Sequence, residues 1–475
     1  MYNGNASITE AERRRPVLKP LRKGNVEMIL HGSLWRAILA IAVPVVINSF
    51  LQTLYNLTDT YWLGRIGAEP LAAISLITPV QNAIVNFGSG FTVAGAVLIA
   101  QFTGAGKRGD AEKMANQIFV CAMAFSLLCV AVLEIFTPAV VRWLGAEGET
   151  MRHAVRYMRV VALDIPFLFM LNLFQSVRQA QGDTVRPMFL NLLGISINMA
   201  LDPLLMVVWP LGAAGAALAT VIAKMVPALM ALRLLSRRSA EIRLQRALMK
   251  PEGDKLRQVV RIGLPSSLGG CAMQLGFLLM SRNVFAYGVE AMAAYGIGNK
   301  VNGLISLPSN AIGSAAATIV GQNMGAGQVK RAEKGYHLSV VMATVFLFAG
   351  GMILSRPFIS RAIVSIFATD ESVIAMAADF LSVMAFWCWT NGMHNATNGL
   401  FQGSGHTEVC MAVEASRLWI LRFATLFLCE NVLHMGVRSV WYSVVVSNGI
   451  SAAVLFCLYL TGLWKKNRVM QTKAE

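Results

Sequence analysis

Apolar stretches of about 20 residues recur along the whole chain, and they constrain its fold more than any other feature. A helix rises about 1.5 Å per residue and needs about 20 residues to cross roughly 30 Å of hydrocarbon. Stretches of that kind fall at 36–63, 71–100, 114–135, 157–179, 187–209, 212–234, 257–284, 292–320, 336–354, 376–400, 410–429 and 439–463. They predict an all-α membrane protein with about twelve transmembrane helices. Composition agrees, since only 14% of the 475 residues are charged, against about 25% in a soluble domain.

The first 33 residues are polar and basic ("AERRRPVLKPLRKGN") and lack the apolar core of a signal peptide, so no cleavage is expected. The formal net charge is +16, but its distribution follows membrane topology. Most Lys and Arg lie in the tails and in alternate loops ("GAGKRGDAEK", "RLLSRRSAEIRLQRALMKPEGDKLRQVVR", "GAGQVKRAEK", "WKKNR"), which orients both termini to the cytoplasm of a plasma (cell inner) membrane. Anionic membrane lipids on that side would add attraction. No basic stretch is interleaved with aromatics, so nucleic acid is not expected as a partner. The seven cysteines form no CxxC pair and read as packing residues.

An internal repeat organises the chain. A shift of about 221 residues aligns Pro44 with Pro265, "IGAEPLAA" with "YGVEAMAA", and "AQFTGAGKRGDAEK" with "GQNMGAGQVKRAEK". Further on, "QAQGDTV" matches "FQGSGHTEV" at a shift of about 223. Each repeat holds six spans, an even number, so both enter from the same side and form two six-helix bundles related by a pseudo-twofold along the membrane normal. The expected layout is a cytoplasmic tail (1–35), an N-lobe (36–234), a cytoplasmic linker (235–256), a C-lobe (257–463) and a second tail (464–475). Two bundles facing across a cavity suit alternation between inward-open and outward-open states. No GxxxxGK[ST] motif is present, so ATP is not expected to drive the protein directly.

Ionisable groups at membrane depth are costly, at least about 2.5–3.5 kcal/mol on insertion scales, and usually face a cavity or do a job. Asp59 lies in the first span, beyond Pro44. In the fifth span "NMALDPLL" puts Asn198 and Asp202 one turn apart on one face, followed by Pro203. Thr220 reaches a comparable depth, and Asn172 lies somewhat deeper. Two carboxylates with neutral oxygens in one bundle suit a proton or a small hard cation. Lys224, one turn after Thr220, and Lys300, in the eighth span, are candidate salt-bridge partners, coupling charges or snorkelling side chains. The second repeat lacks the acidic pattern, with Met280 where Asp59 would fall and Thr425 where Asp202 would, which places the chemistry in the N-lobe.

The run "AVPVVINSFLQTLYNLTDTYWLGRIGAEPLAA", the paired "AQ…GAG" and "GQ…GAG" loops, and "INMALDPLL…GAAGAALAT" resemble the multidrug and toxin extrusion (MATE) transporters over nearly the whole chain. The likeness leans toward the prokaryotic branch whose ion site lies in the N-lobe. It implies a cation-coupling site of Asp59, Asn172, Asn198, Asp202 and Thr220, and a substrate cavity lined by Gln52 and Tyr55. If sodium is the coupling ion, Asp59, Asn198 and Asp202 would hold it. The other branch's acidic C-lobe site has no clear counterpart here.

The resemblance further implies a secondary active efflux transporter, not an enzyme. It would export amphipathic organic cations in exchange for protons or sodium ions, with no cofactor beyond the coupling ion. The 25 methionines and 23 phenylalanines would allow an adaptable cavity. Because one chain carries both lobes, a monomer is expected to be the working unit. A flippase for a lipid-linked substrate is the alternative. It would favour an arginine-rich cavity, and Arg178, Arg282 and Arg422 are scattered in the sequence. An intramembrane transferase would need an acidic motif such as DDxxD, and none occurs.

Overall fold

A computed structural model describes residues 25–66, 68–209, 211–466 and 469, without the side chains of 65, 66, 68–72 and 76. A short helix, α1 (Asn25–Leu30), precedes the N-lobe. The lobe itself holds α2 (Leu34–Ile66), α3 (Ala68–Gly104), α4 (Arg108–Trp143), α5 (Gly148–Ala162), α6 (Ile165–Ala180), α7 (Val185–Pro203) and α8 (Ala213–Ser236). The C-lobe begins with α9 (Gly253–Phe285), α10 (Val289–Gly325), α11 (Val329–Leu354) and α12 (Pro357–Val364). It continues with α13 (Glu371–Trp387), α14 (Trp389–Gly403), α15 (Thr407–Ala415), α16 (Phe423–Asn431) and α17 (Arg438–Leu460). Among the described residues nine helices are each long and apolar enough to cross a bilayer, and two bent pairs raise the number to eleven. The near-continuous helix over 407–431 takes the remaining place in the repeat.

Four expected spans are not straight helices. The fourth, expected at 157–179, consists of α5 and α6 bent by 41°. Pro166 explains the break: it has no N–H to give the preceding turn, so the ladder is interrupted at Leu163–Asp164 and the proline sits in the first turn of α6. The tenth, expected at 376–400, is α13 and α14 bent by 53°. A π-helical turn, Leu204–Val208, follows Pro203 in the fifth span, and another, Ser416–Arg422, interrupts the eleventh. The third span is longer than its apolar window: α4 runs through the charged turns at both ends until Gly145, whose φ of 86° ends it.

The two repeats reproduce each other's backbone fastenings. Thr184 donates its hydroxyl to the Ile41 carbonyl at 2.9 Å, and Thr407, its counterpart, donates to the Ile262 carbonyl at 2.9 Å. The lobes then join through a reciprocal seam. Gln101, at the end of α3, donates Nε2 to the Gly403 carbonyl at the end of α14 (2.8 Å), and Gln322, at the end of α10, donates Nε2 to the Ala180 carbonyl at the end of α6 (2.7 Å). Both glutamines are completely buried. Glycine permits the close approach: a Cβ on Gly104 would lie 1.9 Å from the Gln322 carbonyl oxygen, and one on Gly325 would lie 1.9 Å from that of Gln101. Ala37, Ile38 and Ile41 of α2 pack on Ala311, Ile312 and Ala315 of α10 in the same half of the molecule. Among the described residues, the inter-lobe hydrogen bonds run from this face no farther than the midplane, where Ser267 donates to the Phe87 carbonyl.

The segment between the lobes is docked on the N-lobe. Asn116 of α4 donates to the Arg243 carbonyl (2.9 Å) and accepts from the Gln245 amide (2.8 Å). Gln117 donates to the Leu248 and Lys250 carbonyls (3.1 and 2.7 Å) and accepts from the Glu252 amide (3.0 Å). Two buried side chains thereby satisfy a segment that has only a single 3₁₀ turn of its own, Arg246–Leu248. After the C-lobe, Trp464 is fully buried and stacks on Tyr459, so the start of the expected tail belongs to the lobe.

Candidate ion and substrate pocket in the N-lobe

Two cavities, of about 230 Å³ and 400 Å³, lie inside the N-lobe. Gln52 and Tyr55 of α2, Leu168 of α6, and Thr220 and Lys224 of α8 border both, so the two form one polar pocket. Its smaller part, toward the seam, is walled by Asn172 of α6 and Asn198 of α7. Its larger part reaches Asp59, Gln81 and Asp164. The amphipathic spacing of α2 explains the first wall. Gln52, Tyr55 and Asp59 fall at steps of three and four residues, and so stack along one helix face. Tyr55 and Thr220 both border its two parts.

Asp59 is half-buried on the pocket wall and interacts electrostatically with Lys224 and Asp202. Asp202 is 0% exposed and Asn198 1% exposed. Asn198 faces the smaller cavity, while Asp202 lies one turn behind it and borders neither part. Among the described residues, no hydrogen-bond partner reaches either side-chain oxygen of Asp202 or either polar side-chain atom of Asn198. Buried polar atoms are almost always satisfied, and a bare buried carboxylate costs several kcal/mol. A carboxyl in that position can take up a proton or a small cation without displacing any protein contact.

Asp164 was not among the residues singled out by sequence. It occupies the break between α5 and α6 and forms an ion pair with Lys224 Nζ. Lys224 therefore has an acidic partner in the wall of the pocket and does not snorkel to the membrane surface. Removing only the lysine leaves a carboxylate that is 9% exposed without its cation. Lys224→Met is expected to lower stability by about 3 kcal/mol, and Lys224→Met/Asp164→Leu by less. Denaturant or thermal unfolding of the three proteins checks the order; a double variant less stable than the single one would show that the pair is not the relevant contact.

The remaining sequence candidates fall elsewhere. Lys300 of α10 is exposed and borders neither part of the N-lobe pocket. Arg178, Arg282 and Arg422 do not converge: Arg178 bonds Gln181 at the end of α6, Arg282 is exposed, and Arg422 is buried against Ser447 and Asn448 of α17. Asp379 of α13, which was not one of these candidates, is engaged by Arg438 of α17 at 2.9 Å.

A bilobed bundle of about twelve spans, with an ionisable pocket inside one lobe, is the build of a membrane transporter. The MatE family model matches residues 44–204 and 265–428, one block in each lobe and together more than half of the sequence, and the chain belongs to that family. It is a multi-pass membrane transporter, not an enzyme.

Among similar proteins, the probable multidrug resistance protein YoeA of Bacillus subtilis is 22% identical over 445 residues, covering 92% of this chain and 96% of its own. The multidrug export protein MepA of Staphylococcus aureus is 25% identical over 432 residues, covering 90% and 94%. Among solved structures, a MOP superfamily transporter from Pyrococcus furiosus matches with a TM-score of 0.85 at 24% identity, covering 95% of this chain and 99% of its own. A MATE in complex with MaL6 matches with a TM-score of 0.86 at 24% identity, covering 95% and 100%. The structural likenesses show the shared fold.

Proposed function

We propose that this chain is a cation-coupled antiporter that exports amphipathic organic cations, taking in a proton or a sodium ion through Asp59 and Asp202. The observation that carries the reading is the buried carboxyl of Asp202, which lacks a protein partner and lies within electrostatic reach of Asp59 in the pocket wall. Asn172, Asn198 and Thr220 supply neutral oxygens to the smaller cavity in front of it, and Gln52 and Tyr55 border both parts of the pocket, where cargo and ion meet. An organic cation is attracted by the same negative charge that the incoming ion neutralises. Occupancy by one ligand then disfavours the other, and each prefers a different state of the lobes. The names of YoeA and MepA, which refer to multidrug resistance and export, support the cargo class.

The distribution of Lys and Arg, including the docked basic segment, supports an orientation with the seam and both termini on the cytoplasmic side. One chain holds both lobes, so the monomer suffices for a cycle. In proteoliposomes loaded with an organic-cation dye, sodium replaced by choline at a fixed proton gradient, and then the proton gradient collapsed at fixed sodium, is expected to stop efflux in one arm and spare it in the other. Efflux indifferent to both changes would remove the antiport reading.

A further inference from the structure

The C-lobe holds a second buried ionisable cluster at positions different from those of the N-lobe pocket residues Asp59 and Asp202. His394 of α14 is 2% exposed and Glu414 of α15 is only 18% exposed. Nε2 of His394 lies 2.8 Å from Glu414 Oε1, and its Nδ1 lies 3.2 Å from Ser451 Oγ of α17. Arg417 pairs with the other carboxylate oxygen at 2.5 Å, and Asn398 donates to Oε1 at 3.3 Å. The repeat makes the arrangement specific to this lobe. About 223 residues earlier, the equivalent positions are Leu171, Asn191 and Gly194, which border the N-lobe cavity. Where one lobe keeps an open polar space, the other is filled by histidine, glutamate and arginine.

We propose that His394, with Glu414 and Ser451, is a second proton-binding site of the transporter, and that its ligand is H⁺. Ser451 has one hydroxyl hydrogen and two acceptors in reach, His394 Nδ1 at 3.2 Å and the Asn448 carbonyl at 2.8 Å. With a neutral imidazole, Nε2–H donates to Glu414 and Nδ1 accepts from Ser451. When a proton binds Nδ1, that nitrogen becomes a donor to Ser451 Oγ and the hydroxyl hydrogen turns to the Asn448 carbonyl. Both charge states keep every ring nitrogen hydrogen-bonded, so neither leaves a buried orphan. Histidine is the side chain whose ordinary range lets such a change occur near neutral pH.

The other groups around the ring fit this assignment. The eleventh span presents Glu414, Arg417, Arg422 and Cys410; Glu414 is the negative charge that stabilises an imidazolium, and Arg417, paired with its other oxygen, opposes it. From α17 come the neutral Ser447, Asn448 and Ser451, the first two holding Arg422. Along α14, Thr397 engages Tyr336 of α11, and Asn395 engages Ser309 and Asn310 of α10. The site is connected to lobe movement, because α14 ends at Gly403, whose carbonyl takes the Gln101 bond of the seam. Protonation therefore acts on a helix that the opposite lobe grips.

The test uses the full chain in lipid nanodiscs with ¹⁵N-labelled histidine. Of the six histidines, His394 is identified as the resonance pair lost in His394→Gln. Between pH 5 and pH 9 it is expected to convert from an imidazole bearing two N–H groups to one bearing a single N–H, and Glu414→Gln is expected to require roughly tenfold more acid for the same conversion. Should Glu414→Gln fail to fold, Ser451→Ala, which removes the acceptor at Nδ1, is expected to displace the conversion in the same direction. A ring that stays singly protonated throughout, or a conversion unmoved by both variants, overturns the assignment. A second readout rests on the antiport reading: protons moved per dye exported are expected to fall in His394→Gln. The spectra do not depend on that reading, so the two can fail separately.

Discussion

Asp202→Asn is expected to reduce ion-driven efflux by more than tenfold while leaving the fold intact, and Asp59→Asn to do the same. The physical basis differs between them. Asp202 is wholly buried with both oxygens unpartnered, and an amide of the same shape keeps the packing but cannot exchange a proton or neutralise a cation. Removing a bare buried carboxylate takes away a desolvation cost, so Asp202→Asn should melt no lower than the parent chain in the absence of coupling ion. Asp59 borders the open pocket and feels Lys224, so its loss weakens attraction for cationic cargo as well as for the ion. Dye efflux from proteoliposomes and thermal unfolding of the same preparations test both. Full activity in the two variants would remove the N-lobe site from the mechanism.

The second large effect is expected at the seam. Gln101→Ala with Gln322→Ala deletes two buried donors and leaves the Gly403 and Ala180 carbonyls unsatisfied. At about 1 kcal/mol or more for each, the closed arrangement loses about 2 kcal/mol, roughly a thirtyfold change in the ratio of states. Distances between spin labels on the loop ends of α3 and α10 should broaden toward longer values, and dye should bind more readily from that face. Gly104→Ala with Gly325→Ala should act in the same direction by collision, since each added Cβ meets a backbone carbonyl that cannot turn aside. Unchanged label distances in both double variants would show that the seam does not set the equilibrium.

Much of this architecture is legible in the sequence, for a definite reason. A bilayer imposes a length on its helices, so apolar windows mark them, and duplication shows at a shift of about 221. The bends were not legible. Pro166 and Pro203 are visible, but a proline within a span leaves open whether the helix kinks, widens or continues, and the bend at Cys388 has no proline at all. In the pocket, Asp59, Asn172, Asn198 and Thr220 lie on its walls, while Asp202 sits one turn behind Asn198. Asp164 escaped notice because it lies at a helix break, where periodicity carries no signal, and its partner is 60 residues away. The C-lobe cluster is hidden for a related reason: Met280 and Thr425 stand opposite Asp59 and Asp202, whereas the C-lobe charges occupy positions opposite Asn191 and Gly194.

The docking of residues 243–252 on α4 settles which parts travel together. Although this segment connects the two bundles in sequence, mechanically it is luggage of the first, and the freedom left for the second to swing begins only where α9 starts at Gly253. The pivot is therefore short, and it sits beside the contact between Lys255 and Asp110, 3.7 Å apart. A connection this short tethers the bundles at the face that carries the seam, so parting Gln101 from Gly403 and Gln322 from Ala180 has to proceed as a rotation of one bundle against the other rather than as a separation of the two.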